Sequence, residues 1–301
     1  MADSVDFYQL DAFTETPFKG NPAAICMMPT NLPETLYLDI SSEMNLSETA
    51  FMEKTEPGTY HLRWFTPVRE VPLCGHATLA AAHLLFEHIG IPEKRVKFQT
   101  QAGTLYAENT SDGVLMDFPA NPPHRVEPPI QVLEALGVDE WVDIQYSPGN
   151  EKLMIHLDSY ETLRDVSPDF NALKDAENPL GWRATMITAP GFNHYDFTSR
   201  HFAPLMGVNE DPVTGSNHTV LTPYWSKLLG KKRMQAYQAS KRGGSLTVED
   251  HGDRVHLIGK SVLVMEGKLA LKLWSGKIPR RQKHCSSVNM INEHFSEDYC
   301  Y

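Results

Sequence analysis

Apolar and polar residues alternate over much of this chain, and the alternation places strands along most of its length. VDFYQLDAF (5–13), LRWFTP (62–67), VKFQTQ (96–101), GVLMDF (113–118), MIHLDS (154–159), RVHLIG (254–259) and SVLVMEG (261–267) carry the two-residue period of half-buried strands. The segment from Thr78 to Ile89 is different, being apolar on almost every side. That pattern predicts a helix surrounded by protein. A second apolar helix is expected after Gly215, with a kink at Pro223.

The stretch ANPPHRVEPPIQ (120–131) has four prolines and no period, which marks a connector. It predicts an N-terminal lobe over 1–120, a connector over 121–131 and a C-terminal lobe over 132–274. Beyond Trp274 the chain turns basic, then acidic, without hydrophobic period, so a mobile tail is expected over 275–301.

The two halves repeat each other. When 63–90 is laid over 200–230, Arg63, Phe65 and Pro67 meet Arg200, Phe202 and Pro204. After a three-residue insertion, Glu70, Pro72, Gly75 and Gly90 meet Glu210, Pro212, Gly215 and Gly230. FQTQAGTL (98–105) resembles YQASKRGGSL (237–246), and Gly20-Asn21 recurs as Gly149-Asn150. An ordered series of this kind points to an internal duplication. The expected fold is α+β: two pseudo-twofold-related lobes, each a curved, mostly antiparallel sheet wrapped on a central helix.

Composition narrows the class. The 301 residues with 41% hydrophobic content suffice for two medium cores, and a formal charge of -11 argues against a nucleic-acid partner. Four cysteines without CxxC spacing read as free thiols of a reducing compartment. The N-terminus is acidic where a secretory signal would be basic, and no apolar run is long enough to span a membrane. A cytoplasmic protein is expected.

The repeated P-x-x-G turns carry the candidate chemistry. Gly75 and Gly215 stand just before the central helices, where unpaired N–H groups and the helix dipole attract anions. Two such starts converging between the lobes would bind a carboxylate, although both glycines would equally serve as turn residues. The copies differ at the positions that matter: His76 stands opposite Ser216, Cys74 opposite Thr214, and Val71 opposite Asp211. Glu48 lies in NLSETAFMEK (45–54), which as a strand would place Leu46, Glu48, Ala50 and Met52 on one face. Apolar neighbours would raise its pKa towards values suited to proton transfer. The corresponding RATMITAP (183–190) has no carboxylate, so a single base is expected, moving a proton from one carbon to another. No metal-ligand spacing, phosphate loop or dinucleotide fingerprint is visible, and no cofactor is expected.

FxGNPAA (18–24), NLSETAF (45–51), PLCGHAT (72–78) and EDPVTGS (210–216) together resemble the phenazine-biosynthesis isomerase-like family, across roughly residues 5 to 272. The resemblance implies the diaminopimelate epimerase fold, with the site between two lobes. It places the general acid/base on Glu48 and its companions on His76, Asp211 and Ser216. Asn21, Ser47, Gly75, Ala77, Gly215 and Asn217 are the expected substrate-binding residues. Asn217 departs from the alanine common in the family, and its amide would crowd or re-select the ligand. A small carboxylate-bearing substrate, a homodimer and a cofactor-free reaction are implied. Vertebrate-type members are described as partners of WD-repeat proteins, so a binding protein of the same fold is the alternative.

Overall fold

The computed structural model describes residues 4–29, 33 and 35–271. The tail expected over 275–301 lies outside them. The first half contains β1 (Ser4–Ala12), β2 (Asn21–Met27), α1 (Thr35–Met44), β3 (Thr49–Glu56), β4 (Thr59–Phe65) and β5 (Glu70–Val71). It continues with α2 (Gly75–His83), which runs on as a π-helical turn to Ile89, then β6 (Arg95–Thr100), β7 (Gly103–Thr110) and β8 (Gly113–Pro119). Next come β9 (His124–Arg125), α3 (Ile130–Leu136), β10 (Asp143–Ser147), β11 (Lys152–His156), α4 (Tyr160–Asp165) and α5 (Phe170–Asp175). The last elements are β12 (Ala184–Pro190), β13 (Phe197–Ala203), β14 (Val208–Glu210), α6 (Gly215–Leu229), β15 (Arg233–Gln238), β16 (Gly244–Asp250), β17 (Arg254–Gly259) and β18 (Ser261–Ala270). Every segment read as a strand from its alternation lies in or overlaps one.

The pairing repeats between halves. Parallel pairs β2–β3 and β4–β6 have counterparts in β11–β12 and β13–β15, and the other pairings are antiparallel. β17 pairs with β8, and β18 pairs with β1 along its length, so the last described strand completes the first half's sheet. The proline-rich connector is not wholly irregular: β9 pairs with β10, and α3 begins at Ile130 behind Pro129.

The central core forms where the sheets close on α2 and α6. Leu79, Leu84 and Leu85 of the first helix segment and Val220, Leu221 and Trp225 of α6 are buried there. Ala80, Ala81 and Ala82 let the strands approach α2 closely, which explains why that segment shows no polar stripe. Fully burying each leucine is worth roughly 1.5–3 kcal/mol. On α6, Trp225 stacks on Phe197 at 5.6 Å and donates to Thr188 Oγ1 at 2.9 Å.

α6 continues through Pro223. The proline has no N–H to offer its preceding turn, and the Thr219 carbonyl accepts instead from the Asn121 backbone N–H at 2.9 Å. Asn121 Nδ2 also donates to Thr219 Oγ1 at 3.0 Å. The connector therefore docks on the carbonyl that Pro223 leaves free.

One sequence expectation fails. β3 begins only at Thr49, and Asn45, at φ 48°, turns the chain after α1. Ala50 and Met52 fill the central core while Leu46 packs against a separate cluster with Phe7 and Phe51. Leu46, Glu48, Ala50 and Met52 thus share no face, and Glu48 sits at the mouth of the strand. The repeated arginines are matched more closely. Arg63 grips Glu70 with Nε–Oε1 2.7 Å and Nη2–Oε2 2.8 Å, and Arg200 grips Glu210 with 2.8 and 3.1 Å. Each fork fixes the segment leading to its P-x-x-G turn. Among the described residues no helix is long and apolar enough to cross a membrane.

Candidate active site

α2 and α6 start nose to nose. Gly75 and Gly215 are their first residues, and a Cβ on Gly75 would lie 3.9 Å from the Gly215 Cα. Thr214 does not cap α6 with its side chain, and the Cys74 thiol engages only the N–H of Ala77, the third residue of α2. Both helix starts thus keep N–H groups available to a ligand. Neither glycine has a positive φ, and a methyl group at either would meet only ordinary van der Waals contacts. The fold would accept alanine at both places. We expect Gly75→Ala to change stability by less than about 1 kcal/mol, read by thermal denaturation, while ligand binding falls because the methyl group occupies the ground between the helices.

At the first helix start, the Glu48 carboxylate stands 3.6 Å from His76 Nε2. Burial pushes the Glu48 pKa up to about 7; the Asp211 charge adds to the rise and a bond from Cys74 opposes it. Burial drives His76 down to about 4, so its imidazole is neutral at physiological pH. Its Nδ1 lies 3.5 Å from Cys74 Sγ, and its Nε2 is buried without a hydrogen-bond partner. Cys74 is raised well above the ordinary thiol value, first by burial and then by the Glu48 charge. It is a thiol rather than a thiolate, so it is a poor base or nucleophile near neutral pH.

Asp211 stands between the halves. Asn21 Nδ2 donates to its Oδ1 at 2.9 Å, and the Thr214 hydroxyl donates to its Oδ2. Asn21 also donates to the Val213 carbonyl at 2.9 Å, so the start of β2 is tied to the turn before α6. Burial raises Asp211 to about 6, against the bonds from Thr214 and Asn21 and the charge of Lys152. Thr214, the counterpart of Cys74, is thereby engaged with Asp211. Gln238 holds the same turn by accepting from Thr214 N at 2.9 Å and donating to the Asp211 carbonyl at 2.8 Å.

The second helix start contains a residue that sequence reasoning missed. Lys152 is buried, and its Nζ donates to Ser216 Oγ at 2.6 Å and to Asn217 Oδ1 at 2.7 Å. A signal existed: extending the Gly20-Asn21 and Gly149-Asn150 match by two residues sets Lys152 opposite Ala23. Asn217 is fully buried and faces Lys152, so its amide does not crowd a ligand as expected. Ala77 is likewise fully buried in the core, and its N–H is directed to the Cys74 thiol. Any contact it makes with a substrate would have to be indirect. Ser47 is half-buried just before Glu48, and Ser216 is exposed.

Folding also collects donor sets that no chain spacing announces. Glu48, Cys74 and His76 bring ligand atoms within 4.8 Å of one another, as do Glu249, His251 and His256 on the β16–β17 hairpin. Carboxylate, thiol and imidazole are zinc-type ligands. In the first group the thiol would have to lose a proton that burial and Glu48 hold in place.

This geometry has close relatives. The family model described as phenazine biosynthesis-like protein matches residues 10–267. An uncharacterized isomerase of Pseudomonas aeruginosa is 44% identical over 267 residues, covering 89% of this chain and 99% of its own length. Phenazine biosynthesis-like domain-containing protein 2 of Mus musculus is 45% identical over 280 residues, covering 86% and 96%. The crystal structure of a PhzF-family protein from Enterococcus faecalis superposes with a TM-score of 0.84 at 41% identity, covering 89% of this chain and all of that one. A probable proline racemase from Agrobacterium radiobacter, at TM-score 0.56 and 11% identity, shares the fold alone. By sequence and by structure, the chain belongs to the phenazine biosynthesis-like family.

Proposed function

We propose that this protein is a cofactor-independent isomerase that moves a proton within a small carboxylate-bearing metabolite, with Glu48 as its single acid/base. The observation that carries the proposal is Glu48 itself: a carboxyl with a pKa near 7, 3.6 Å from a neutral imidazole at the start of α2. Near pH 7 such a group is populated in both forms, so it can remove a proton and return it.

The substrate carboxylate would lie across the two helix starts, where free N–H groups and the open ground at Gly75 and Gly215 receive it. Glu48 takes a proton from carbon, and the electron pair of that bond becomes part of an enolate or dienol. His76 Nε2, Asp211 and the Ser216 hydroxyl would position the substrate and stabilise the intermediate by hydrogen bonding. Protonated Glu48 then delivers the proton to a second carbon. The description of relatives as isomerases supports this class of reaction.

The test is incubation of the protein with a small-metabolite extract in heavy water, followed by mass spectrometry. A carboxylate-bearing compound that gains one deuterium only when protein is present is the expected result. Absence of any labelled compound in extracts from several sources would move the reading to a binding protein that keeps the fold. Light scattering is expected to show a homodimer.

A further inference from the structure

Lys152 has an unusual set of neighbours for a buried cation. Only 7% of it is exposed, and its two hydrogen-bond partners, Ser216 Oγ and Asn217 Oδ1, are neutral. Among the described residues no carboxylate forms an ion pair with it within 4.0 Å, and Asp211 acts on it only at longer range. An ammonium held this way carries a desolvation cost that its partners do not offset. A structural need would be met better by an apolar side chain of similar length.

The hydrogen bond itself shows what the charge does. An ammonium group has donors and no acceptor, so in the 2.6 Å contact the Ser216 oxygen must accept. The hydroxyl proton of Ser216 then has to point elsewhere, and Ser216 is exposed as the second residue of α6, next to the Gly215 that meets Gly75 at the junction of the two helices. A neutral amine, by contrast, could accept from Ser216 and turn the hydroxyl inwards. We infer that Lys152 is a positioning residue: as an ammonium it fixes Ser216 as an outward hydrogen-bond donor, aimed at an oxygen of the substrate's carboxyl or carbonyl group.

This inference rests on the proton-transfer reading above and gives it a second lobe. Glu48 removes the proton from carbon, the C–H pair becomes a C=C bond, and the carbonyl π pair moves to oxygen. Ser216 donates a hydrogen bond to that oxygen and is not consumed. Asn217 holds the amine from the other side, which gives this departure from the family pattern a role.

The ammonium should be lost within the working pH range. Burial lowers the Lys152 pKa to about 7, opposed by the Asp211 charge. The other ionisable groups that act with it are His201 from β13 and His218 from α6. Burial pushes His201 well below its ordinary value and His218 to about 4, so both are neutral there. Below about pH 7 Ser216 donates outwards, and above it the outward donor fades.

Lys152→Met and Lys152→Arg test this, with the labelled compound as substrate and melting temperature as control. The methionine variant is expected to exchange about 100-fold more slowly, the usual loss of one oxyanion donor, and to melt no lower than wild type. Arginine stays charged throughout, so that variant is expected to keep substantial activity and lose the alkaline decline between pH 7 and 9. Exchange by Lys152→Met within threefold of wild type, or an unchanged alkaline decline in Lys152→Arg, would overturn the inference.

Nitrogen-15 lysine spectra need no substrate and cover the cases in which arginine does not fit or wild type shows no exchange. The Lys152 signal, identified by its loss in Lys152→Met, should titrate near neutrality. It should also respond to benzoate, a simple carboxylate, in wild type but not in Ser216→Ala. Titration alongside the surface lysines, or indifference to benzoate, overturns the role of Lys152. Absence of exchange in wild type with the expected spectra overturns the reaction and leaves the carboxylate subsite standing.

Discussion

Glu48→Gln is expected to slow proton exchange by about 100- to 10,000-fold, the usual worth of a positioned acid/base. The amide has nearly the same shape as the carboxyl and cannot take the proton. Cys74→Ala, at a thiol within 4.8 Å of the Glu48 carboxylate, is expected to stay within about tenfold of wild type, because its raised pKa keeps it a thiol. A reversed order of losses would make Cys74 the base. Wild-type exchange should rise with pH as Glu48 ionises near 7 and decline above it as Lys152 loses its proton, giving a narrow optimum near neutrality.

Stability should move in the opposite sense for Glu48. Its folded pKa, about 7, lies above the ordinary 4.5, so the folded state holds the proton more tightly than the unfolded one. Its contribution is complete below about pH 4.5 and is lost as pH rises through 7, on the order of 3 kcal/mol at most. Denaturant unfolding of wild type and Glu48→Gln at pH 5 and pH 8 should show this decline in wild type and a weaker one in the variant. His76, depressed to about 4, acts conversely, losing its contribution as pH falls from 6.5 through 4.

Gly20→Ala is expected to be the most damaging small substitution in the N-terminal motif. Gly20 has φ 61°, and a Cβ there would lie 2.1 Å from the Ala12 carbonyl oxygen and 2.8 Å from Thr14 Cγ2. Its N–H donates to the Gly243 carbonyl at 2.7 Å, and its own carbonyl accepts from Arg242 Nε at 2.7 Å, so it cannot shift freely. The left-handed backbone alone costs a side chain about 1 kcal/mol. With the backbone clash the loss should reach at least about 3 kcal/mol, or some 6–12 °C in Tm. Gly90→Ala is the control, because it shares the positive φ, at 72°, and has nothing within 4 Å. It should lose only about 1 kcal/mol. Equal losses at the two positions would mean that the clash is relieved by movement. Activity should fall in Gly20→Ala as well, since the next residue, Asn21, holds Asp211.

Much of this architecture could be read from the sequence because its signals are local. Strand alternation depends on neighbours two apart, and the strands from VDFYQLDAF to SVLVMEG were all recognisable for that reason. The repeated Gly positions announced the paired helix starts, because each is a short chain segment, whereas the Arg–Glu forks at the repeated Arg and Glu positions emerge only in the structure. Glu48 is marked in the sequence by the NLSETAF motif, while the strand face also expected to carry it does not form, because β3 begins at Thr49. What raises its pKa is burial and then the charge of Asp211, which is far from it in sequence. Lys152 escaped notice because its partners, Ser216 and Asn217, are 64 and 65 residues away. A lysine followed by LMIHL reads as the polar start of a strand. The same distance hid the role of Asn217, which depends on Lys152 being placed opposite it.

The claim at the centre of this account is that Glu48 moves the proton. The most direct measurement is the deuterium content of the metabolite labelled by wild type, after incubation in heavy water with wild type and with Glu48→Gln at equal concentration. The account predicts one deuterium with wild type and none with the variant, while both melt as folded proteins. Equal labelling by the two would contradict it and pass the proton to another group at the helix junction.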